Sequence, residues 1–250
     1  MILKDGTYTL DKRFDRLVSF DTRSRAFSVV RKLVRPKYKT RLWACRQTLD
    51  QGEEGACVGA GVTHELIAEP CEVIGLDMKF AREVIYWGAQ MIDDWIGGSY
   101  PGAEPEYEGT SVLAGCKMAK KLGYIDSYDW AFGLDELIFS VGNYGPAVLG
   151  LMWYSGMYKT DDKFHIHATG YIAGGHCILC RGVDVEKEYF TLRNSWGTEW
   201  GDNGDCRVSF ADMDKLLSEQ GEAVFFKGRH LKPEPEYKHE LAEETLCPVC

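Results

Sequence analysis

The sequence predicts an α+β fold in two lobes, with helices first and an antiparallel barrel-like sheet second. Three observations carry this. Between Cys57 and Gly123 the apolar residues recur at helical spacing in three separate runs. From Gly145 onward they form short β-branched or aromatic runs separated by Gly, Asp and Asn. The chain is 250 residues long with 45% apolar residues, enough to bury a sizeable core.

Residues 1–43 read as a basic N-terminal arm. Its apolar pairs have no sustained period and Pro36 interrupts it, so extended chain lying along the surface is expected. The helical lobe is assigned to 44–135. Val58, Val62, Leu66 and Ile67 share one helix face, and Pro70 ends that run. "MKFAREVIYWGAQMIDDWI" is a second amphipathic helix. "TSVLAGCKMAKKLG" is a third, with Thr110 or Ser111 as its cap and Gly123 as its stop. The second lobe is assigned to 136–229, with strands in "GPAVLGLMWY", "HCILCRGVD", "EYFTLRNSW" and "DCRVSF" and a short helix in "ADMDKLLSE". Residues 230–250 form an acidic, proline-bearing tail with no packing pattern.

Charge is unevenly placed. Residues 1–43 hold twelve Lys and Arg against four Asp and Glu, within a chain of net charge −9. A basic arm on an acidic body could meet nucleic acid or lipid, but docking on its own body satisfies both charges and is the favoured expectation. No membrane-spanning run, secretory leader or nucleotide-cradling glycine loop is read in the chain. Nine cysteines in a chain of this length argue for free thiols in a reducing, cytoplasmic setting rather than a disulfide scaffold.

Three distant segments meet one chemical requirement. A thiol attacks a carbonyl carbon as thiolate, which a helix N-terminus and a neighbouring imidazole both stabilise. Cys57 opens a helix after a glycine-broken turn, His176 opens a strand, and Asn194 ends one. An Asn amide oxygen can hold the imidazole in one orientation. The oxyanion formed on attack needs donors, for which the Gln51 side chain and the Cys57 N–H are candidates. Singly, each residue has a plainer reading as core, turn or strand end.

"DQGEEGACVGAG", "GGHCILCRGVD" and "RNSWGTEWGDNG" resemble the three signature segments of the papain-like cysteine peptidases, in their order. Weaker likenesses at "EGTSVLAGCKMAKKLGYI" and "GPAVLGLMWYSGMY" extend the resemblance over roughly 45 to 210. It implies a papain-like two-lobed fold with the site in the cleft. It implies Cys57 as nucleophile, His176 as its partner, Asn194 as the orienting residue and Gln51 as oxyanion donor. Gly109 would pair with substrate backbone, Trp196 would shield the His176–Asn194 contact, and Trp200 would support that loop. Ala147, Gly175 and Cys177 would border the pocket for the side chain two residues before the cleaved bond. The function implied is a cysteine endopeptidase acting on peptide or protein substrates through an acyl-enzyme, with no cofactor and no metal.

The chain departs from that family around the nucleophile. Ala56 and Val58 replace the usual Ser and Trp, and Glu54 stands where a bridging cysteine is common. The segment ahead of Cys57 is short for the family's inhibitory pro-region, so either a directly competent enzyme or control by the basic arm is expected. Such a chain suits bacterial or viral members. Two other readings stay open: a catalytically inactive peptide- or protein-binding module, and an amidase or acyl transferase using the same residues. "CPVC" at 247–250 could be half a zinc site or a redox pair but has no partner CxxC or CxxH nearby, and "FHIH" at 164–167 could ligate metal, though a loop or cleft-wall pair is the favoured expectation.

Overall fold

A computed structural model describes residues 1–29 and 37–231. Pro36, most of the acidic tail and the terminal CPVC lie outside the described residues.

The first lobe is built around α1, Cys57–Leu66, all ten residues of which are buried. Its sequence, CVGAGVTHEL, has no polar stripe wide enough for a surface helix, and small residues let neighbours approach on every side. A Cβ on Gly61 would come within 2.6 Å of the Cys177 sulfur, and one on Gly115 within 2.8 Å of Val58. The second helical run is one continuous segment in three windings: α2, Met78–Phe80, a π-helical stretch Ala81–Tyr86, and α3, Trp87–Ile92. It starts under the Asp77 cap and stops at Asp93, short of the Ile96 read from the sequence. The third helix, α4, spans Val112–Lys121, with the Ser111 hydroxyl accepting from Ala114 N–H. Gly123 follows with φ +77°, the left-handed conformation of a helix stop.

The second lobe is a seven-stranded antiparallel sheet. Its strands are β2 (Arg41–Leu42), β4 (Ile125–Ala131), β5 (Ala147–Tyr154), β6 (Ile172–Asp184), β7 (Tyr189–Arg193), β8 (Asp205–Ser209) and β9 (Glu222–Arg229). The order is β4-β9-β5-β6-β7-β8, with β2 added on β6. Helices α5, Leu134–Asn143, and α6, Phe210–Ser218, accompany it. β4, β9 and α5 were not read from the sequence, nor were the two-residue strands such as β2. β4 precedes the break expected near 135 yet pairs along most of β9, so the sheet begins inside the segment assigned to the helical lobe.

Two apolar cores flank the sheet. One packs α1 and α4 against Val148, Leu179 and Val224; the other gathers Leu149, Leu151, Trp153, Phe190 and Leu192. Alternate residues of β5 serve different cores, as the two-residue period of a strand requires.

The arm departs from the expected surface path. Residues Phe14 to Leu17 are buried, and β1, Arg16–Leu17, pairs in parallel with β3, Thr110–Ser111. Upstream, Lys4 donates from Nζ to Asp93 (2.7 Å) and to the Gln90 carbonyl (2.8 Å), with both charged side chains buried. Basic arm residues thus meet acidic body residues at Lys4–Asp93 and Arg16–Glu222.

Candidate active site

The site lies where the N-terminus of α1 meets β6, with the arm laid across the junction. Cys57 is the first residue of α1, so its thiol stands among backbone N–H groups with no intrahelical acceptor. Its sulfur accepts from the N–H of Cys177, the residue after His176, at 3.3 Å. β6 thereby holds His176 beside the helix start.

The orientation of His176 follows from a short chain of hydrogen bonds. The Ser195 N–H donates to Asn194 Oδ1 at 2.8 Å, which identifies that atom as the amide oxygen. The same oxygen lies 2.8 Å from His176 Nε2, so Nε2 carries the proton and Nδ1 the lone pair. Nδ1 has no hydrogen-bond partner among the described residues. It is therefore the nitrogen available to a thiol proton.

Aromatic rings seal this pair from water. Trp153 meets the imidazole edge-on at 4.7 Å and Trp196 lies 5.2 Å from it. Trp200 packs on Trp196 at 5.3 Å and anchors its own indole N–H to the Tyr158 carbonyl. The sequence reading named Trp196 and Trp200 but passed over Trp153, whose strand position looks like ordinary core.

Gln51 is held by both ends of its amide. Its Oε1 accepts from Ser195 Oγ at 2.6 Å, and Nε2 donates to the Glu54 carbonyl at 2.7 Å. Nε2 also faces the Arg13 carbonyl of the arm at 3.4 Å. A carbonyl oxygen of a bound chain therefore already lies where Gln51 would meet a developing oxyanion.

The arm supplies the residues the sequence reading missed. Phe14 fills the space between His176, Tyr158, Trp196 and Trp153, at ring separations of 5.6, 5.4, 5.9 and 6.3 Å. The Arg13 guanidinium stacks on Trp196 at 4.3 Å. The Asp15 carboxyl accepts the Cys57 thiol proton at 2.7 Å. Nothing in "KRFDRL" signals this, because the contacts join residues about 40 to 180 positions apart.

Burial sets the protonation state. Desolvation, with the Asp15 carboxyl adding to it, pushes the Cys57 thiol well above its ordinary value. Desolvation also raises the Asp15 carboxyl to about 7, with the Glu108 charge adding and the Cys57 thiol hydrogen bond opposing. His176 is lowered to about 4, again chiefly by desolvation, against the Asn194 hydrogen bond. With the arm in place the site therefore holds a neutral thiol and a neutral imidazole.

Of the expected pocket residues, the structure brings two to the arm and a third to the nucleophile. The Gly109 region receives it through Thr110 N–H donating to the Asp15 carbonyl at 3.2 Å, and a Cβ on Gly109 would lie 3.1 Å from the Leu17 side chain. Gly175 lies against the Arg16 carbonyl, where a Cβ would collide. Cys177 holds the Cys57 sulfur through its N–H and turns its side chain toward Gly61. Ala147 stands apart. It pairs with Cys180 three positions down β5 and faces the core with Leu149 and Leu151. Gly150, of opposite strand parity, faces the arm: a Cβ there would lie 2.6 Å from Arg16 Nε. Among the described residues no cluster of three or more His, Cys, Asp or Glu could hold a metal ion, and the seven described cysteines are free.

Comparison with known proteins agrees with this architecture. Residues 116–220 match the model of the papain family cysteine protease domain, a span that includes His176 and Asn194 and begins after Cys57. Among curated proteins, the chain is 26% identical over 101 residues to cathepsin B-like CP2 of Giardia intestinalis, covering 39% of this chain and 34% of that protein. It is 28% identical over 124 residues to a cathepsin B-like cysteine proteinase of Schistosoma japonicum, covering 44% of this chain and 35% of that protein. The matched region thus spans about a third of the length of these relatives. Among solved structures, xylellain, a cysteine protease from Xylella fastidiosa, superposes with a TM-score of 0.66 at 19% identity, over 90% of this chain and 99% of that one. Digestive procathepsin L 3 of Tenebrio molitor larval midgut superposes with a TM-score of 0.51 at 14% identity, over 87% and 75%. The described chain thus has the papain-like fold, and its second half carries the match to the papain family cysteine protease domain.

Proposed function

We propose that this chain is a cysteine endopeptidase that cleaves peptide bonds with Cys57 as nucleophile and His176 as general base and acid. In the state described here the arm covers its cleft. The observation that carries the reading is the His176 arrangement: Asn194 fixes the proton on Nε2 and leaves Nδ1 without a hydrogen-bond partner, while the N–H of the next residue, Cys177, donates to the Cys57 sulfur at a helix N-terminus. Once the arm leaves, water and substrate reach the pair. The desolvation that holds both groups neutral is relieved, and proton transfer from Cys57 to His176 becomes favourable. The thiolate attacks the substrate carbonyl, and Gln51 Nε2 and the Cys57 N–H donate to the resulting oxyanion. His176 then delivers its proton to the departing amine. Water hydrolyses the thioester with His176 as base.

The docked arm is not itself set up for attack. What faces the sulfur is the Asp15 side chain rather than a peptide carbonyl, and the Arg13 carbonyl is turned to Gln51. The arm thus blocks the cleft without presenting a scissile bond.

The test uses the full chain carrying Phe14→Ala, which weakens arm docking, together with Cys57→Ala as control. The reading expects hydrolysis of fluorogenic peptides and one covalent adduct at Cys57 with a peptidyl epoxide. A folded protein that forms neither would instead fit the peptide-binding module. Transfer of the acyl group to added amine in preference to water would fit the acyl transferase.

A further inference from the structure

A second thiol stands beside the nucleophile, and peptide hydrolysis has no use for it. Cys177 follows His176 on β6, is 1% exposed, and donates its N–H to the Cys57 sulfur at 3.3 Å. Its Cβ is therefore two bonds from an atom already in contact with the nucleophile. A backbone N–H resting on the other residue's sulfur is compatible with the Cα separation of about 4.4–6.8 Å that a disulfide requires. The Cys177 sulfur lies against α1 at Gly61, where a Cβ would come within 2.6 Å of it. Gly61 is four residues after Cys57, one turn along the same helix face. Both thiols thus occupy one strip of the α1–β6 contact, within one apolar core. Cys180 on the same strand has opposite parity, faces the other core and turns its thiol to the Gly182 carbonyl. Cys116 enters the first core from α4, where its thiol feels the charge of Cys177, as Cys57 does from the other side.

We propose that Cys57 and Cys177 form a peroxide-responsive disulfide pair, in which Cys177 is the resolving thiol that captures the oxidised nucleophile. The proposal goes beyond peptide hydrolysis and needs only a reactive thiolate at Cys57. The two roles follow from position. Cys57 stands at a helix N-terminus near His176, which favour its thiolate once the arm withdraws, whereas Cys177 lies within a strand and has neither aid. A hydroperoxide, here hydrogen peroxide, is the oxidant. The Cys57 thiolate attacks its O–O bond, an S–O bond forms, and the released hydroxide takes the His176 proton and leaves as water. Cys177 sulfur then attacks the sulfenic sulfur. The S–S bond forms, the S–O bond breaks, and the departing hydroxide carries off the Cys177 proton as a second water. Two thiols give up two electrons and one peroxide accepts them. The bond blocks the nucleophile but spares it the irreversible step to sulfinic acid, and a dithiol restores both thiols.

The experiment uses the full chain carrying Phe14→Ala, reduced, freed of reductant and exposed to hydrogen peroxide. Non-reducing digestion and mass spectrometry are expected to show a peptide cross-linked between Cys57 and Cys177, with loss of two hydrogens. Labelling of Cys57 by a thiol reagent is expected to be lost with it and to return in full on adding dithiothreitol. Cys177→Ala in the same background is expected to abolish the cross-link and let dimedone trap a sulfenic acid at Cys57. Further peroxide should then carry Cys57 to sulfinic acid, which dithiothreitol does not reverse. The cross-link mapping stands by itself if Cys177→Ala fails to fold. Passage of Cys57 to sulfinic acid at the same rate with and without Cys177 overturns the pair. So does a Cys57 that takes the thiol reagent yet resists peroxide, or a Cys177–Cys116 cross-link that leaves Cys57 out. No readout here depends on hydrolysis, so a protein that forms the disulfide but cleaves no peptide supports the pair and overturns the peptidase reading.

Discussion

Phe14→Ala offers the most direct measure of how the arm closes the site. The Phe14 side chain is 0% exposed and lies among Trp153, Tyr158, His176 and Trp196. Burying a phenylalanine contributes about 1.5–3 kcal/mol, and favourable ring pairs add about 0.5–1.5 kcal/mol. Truncation should therefore weaken docking by about 3 kcal/mol, or about 150-fold in the open population. The assay is the rate of Cys57 alkylation by a small thiol reagent, followed by mass spectrometry of the Cys57 peptide. Cys116 and Cys206 are buried in the two lobes and serve as internal controls, since their protection is lost only if the fold opens. The expected result is Cys57 labelling faster by about two orders of magnitude, with both controls still protected. Labelling within about threefold of the parent, controls intact, would refute the idea that arm docking limits access.

Four further outcomes follow from the same geometry. Asp15, raised from 3.8 to about 7, favours docking when protonated, so that contribution is full below 3.8 and is lost as pH rises through about 7. His176, lowered from 6.5 to about 4, favours docking when neutral, so its contribution is full above 6.5 and is lost as pH falls through about 4. The two oppose each other, so Asp15→Asn should unmask His176: hydrogen exchange at Phe14 to Leu17, corrected for intrinsic rates, should speed up as pH falls from 6.5 to 4. Slower exchange toward acid in that variant would contradict the assignment. In an arm-loosened background, Gln51→Ala should lower kcat by about 10²–10³. There Asn194→Ala should lower it by at least about tenfold, because His176 then loses the acceptor that fixes its tautomer; an unchanged kcat in either case would remove that residue from the mechanism. Finally, Asp205 accepts from both Arg181 and Arg193 beside Asn194. Asp205→Ala should destabilise the fold by about 3–5 kcal/mol in urea denaturation by leaving two largely buried guanidinium groups unpaired. A loss below about 1 kcal/mol would mean that water already solvates the pair.

The sequence by itself determined the elements whose signals are local. The three helical runs, four of the sheet strands and α6 could be read from apolar spacing, caps and stops. α1 starts at Cys57 and α4 is capped by Ser111 for reasons contained within a few residues. The candidate catalytic set was legible because its chemistry demands particular residue types, and His176 and Asn194 carry their neighbours' pattern with them. β4, β9 and α5 were not legible: β4 and β9 gain strand character from pairing with each other, at a separation of about a hundred residues. Which face of β5 meets the arm was not legible for a related reason. Counting along β5 reaches Ala147, but only the β5–β9 register and the strand's two-sided burial decide that Gly150 faces the arm and Glu222 stands opposite it. The arm shows the limit most sharply. Its charge indicated an acidic partner, yet an extended segment has no period of its own to reveal which surface it covers. Only the assembled cleft, with aromatic rings for Phe14, a thiol for Asp15 and a buried carboxylate for Arg16, gives those four or five residues a place.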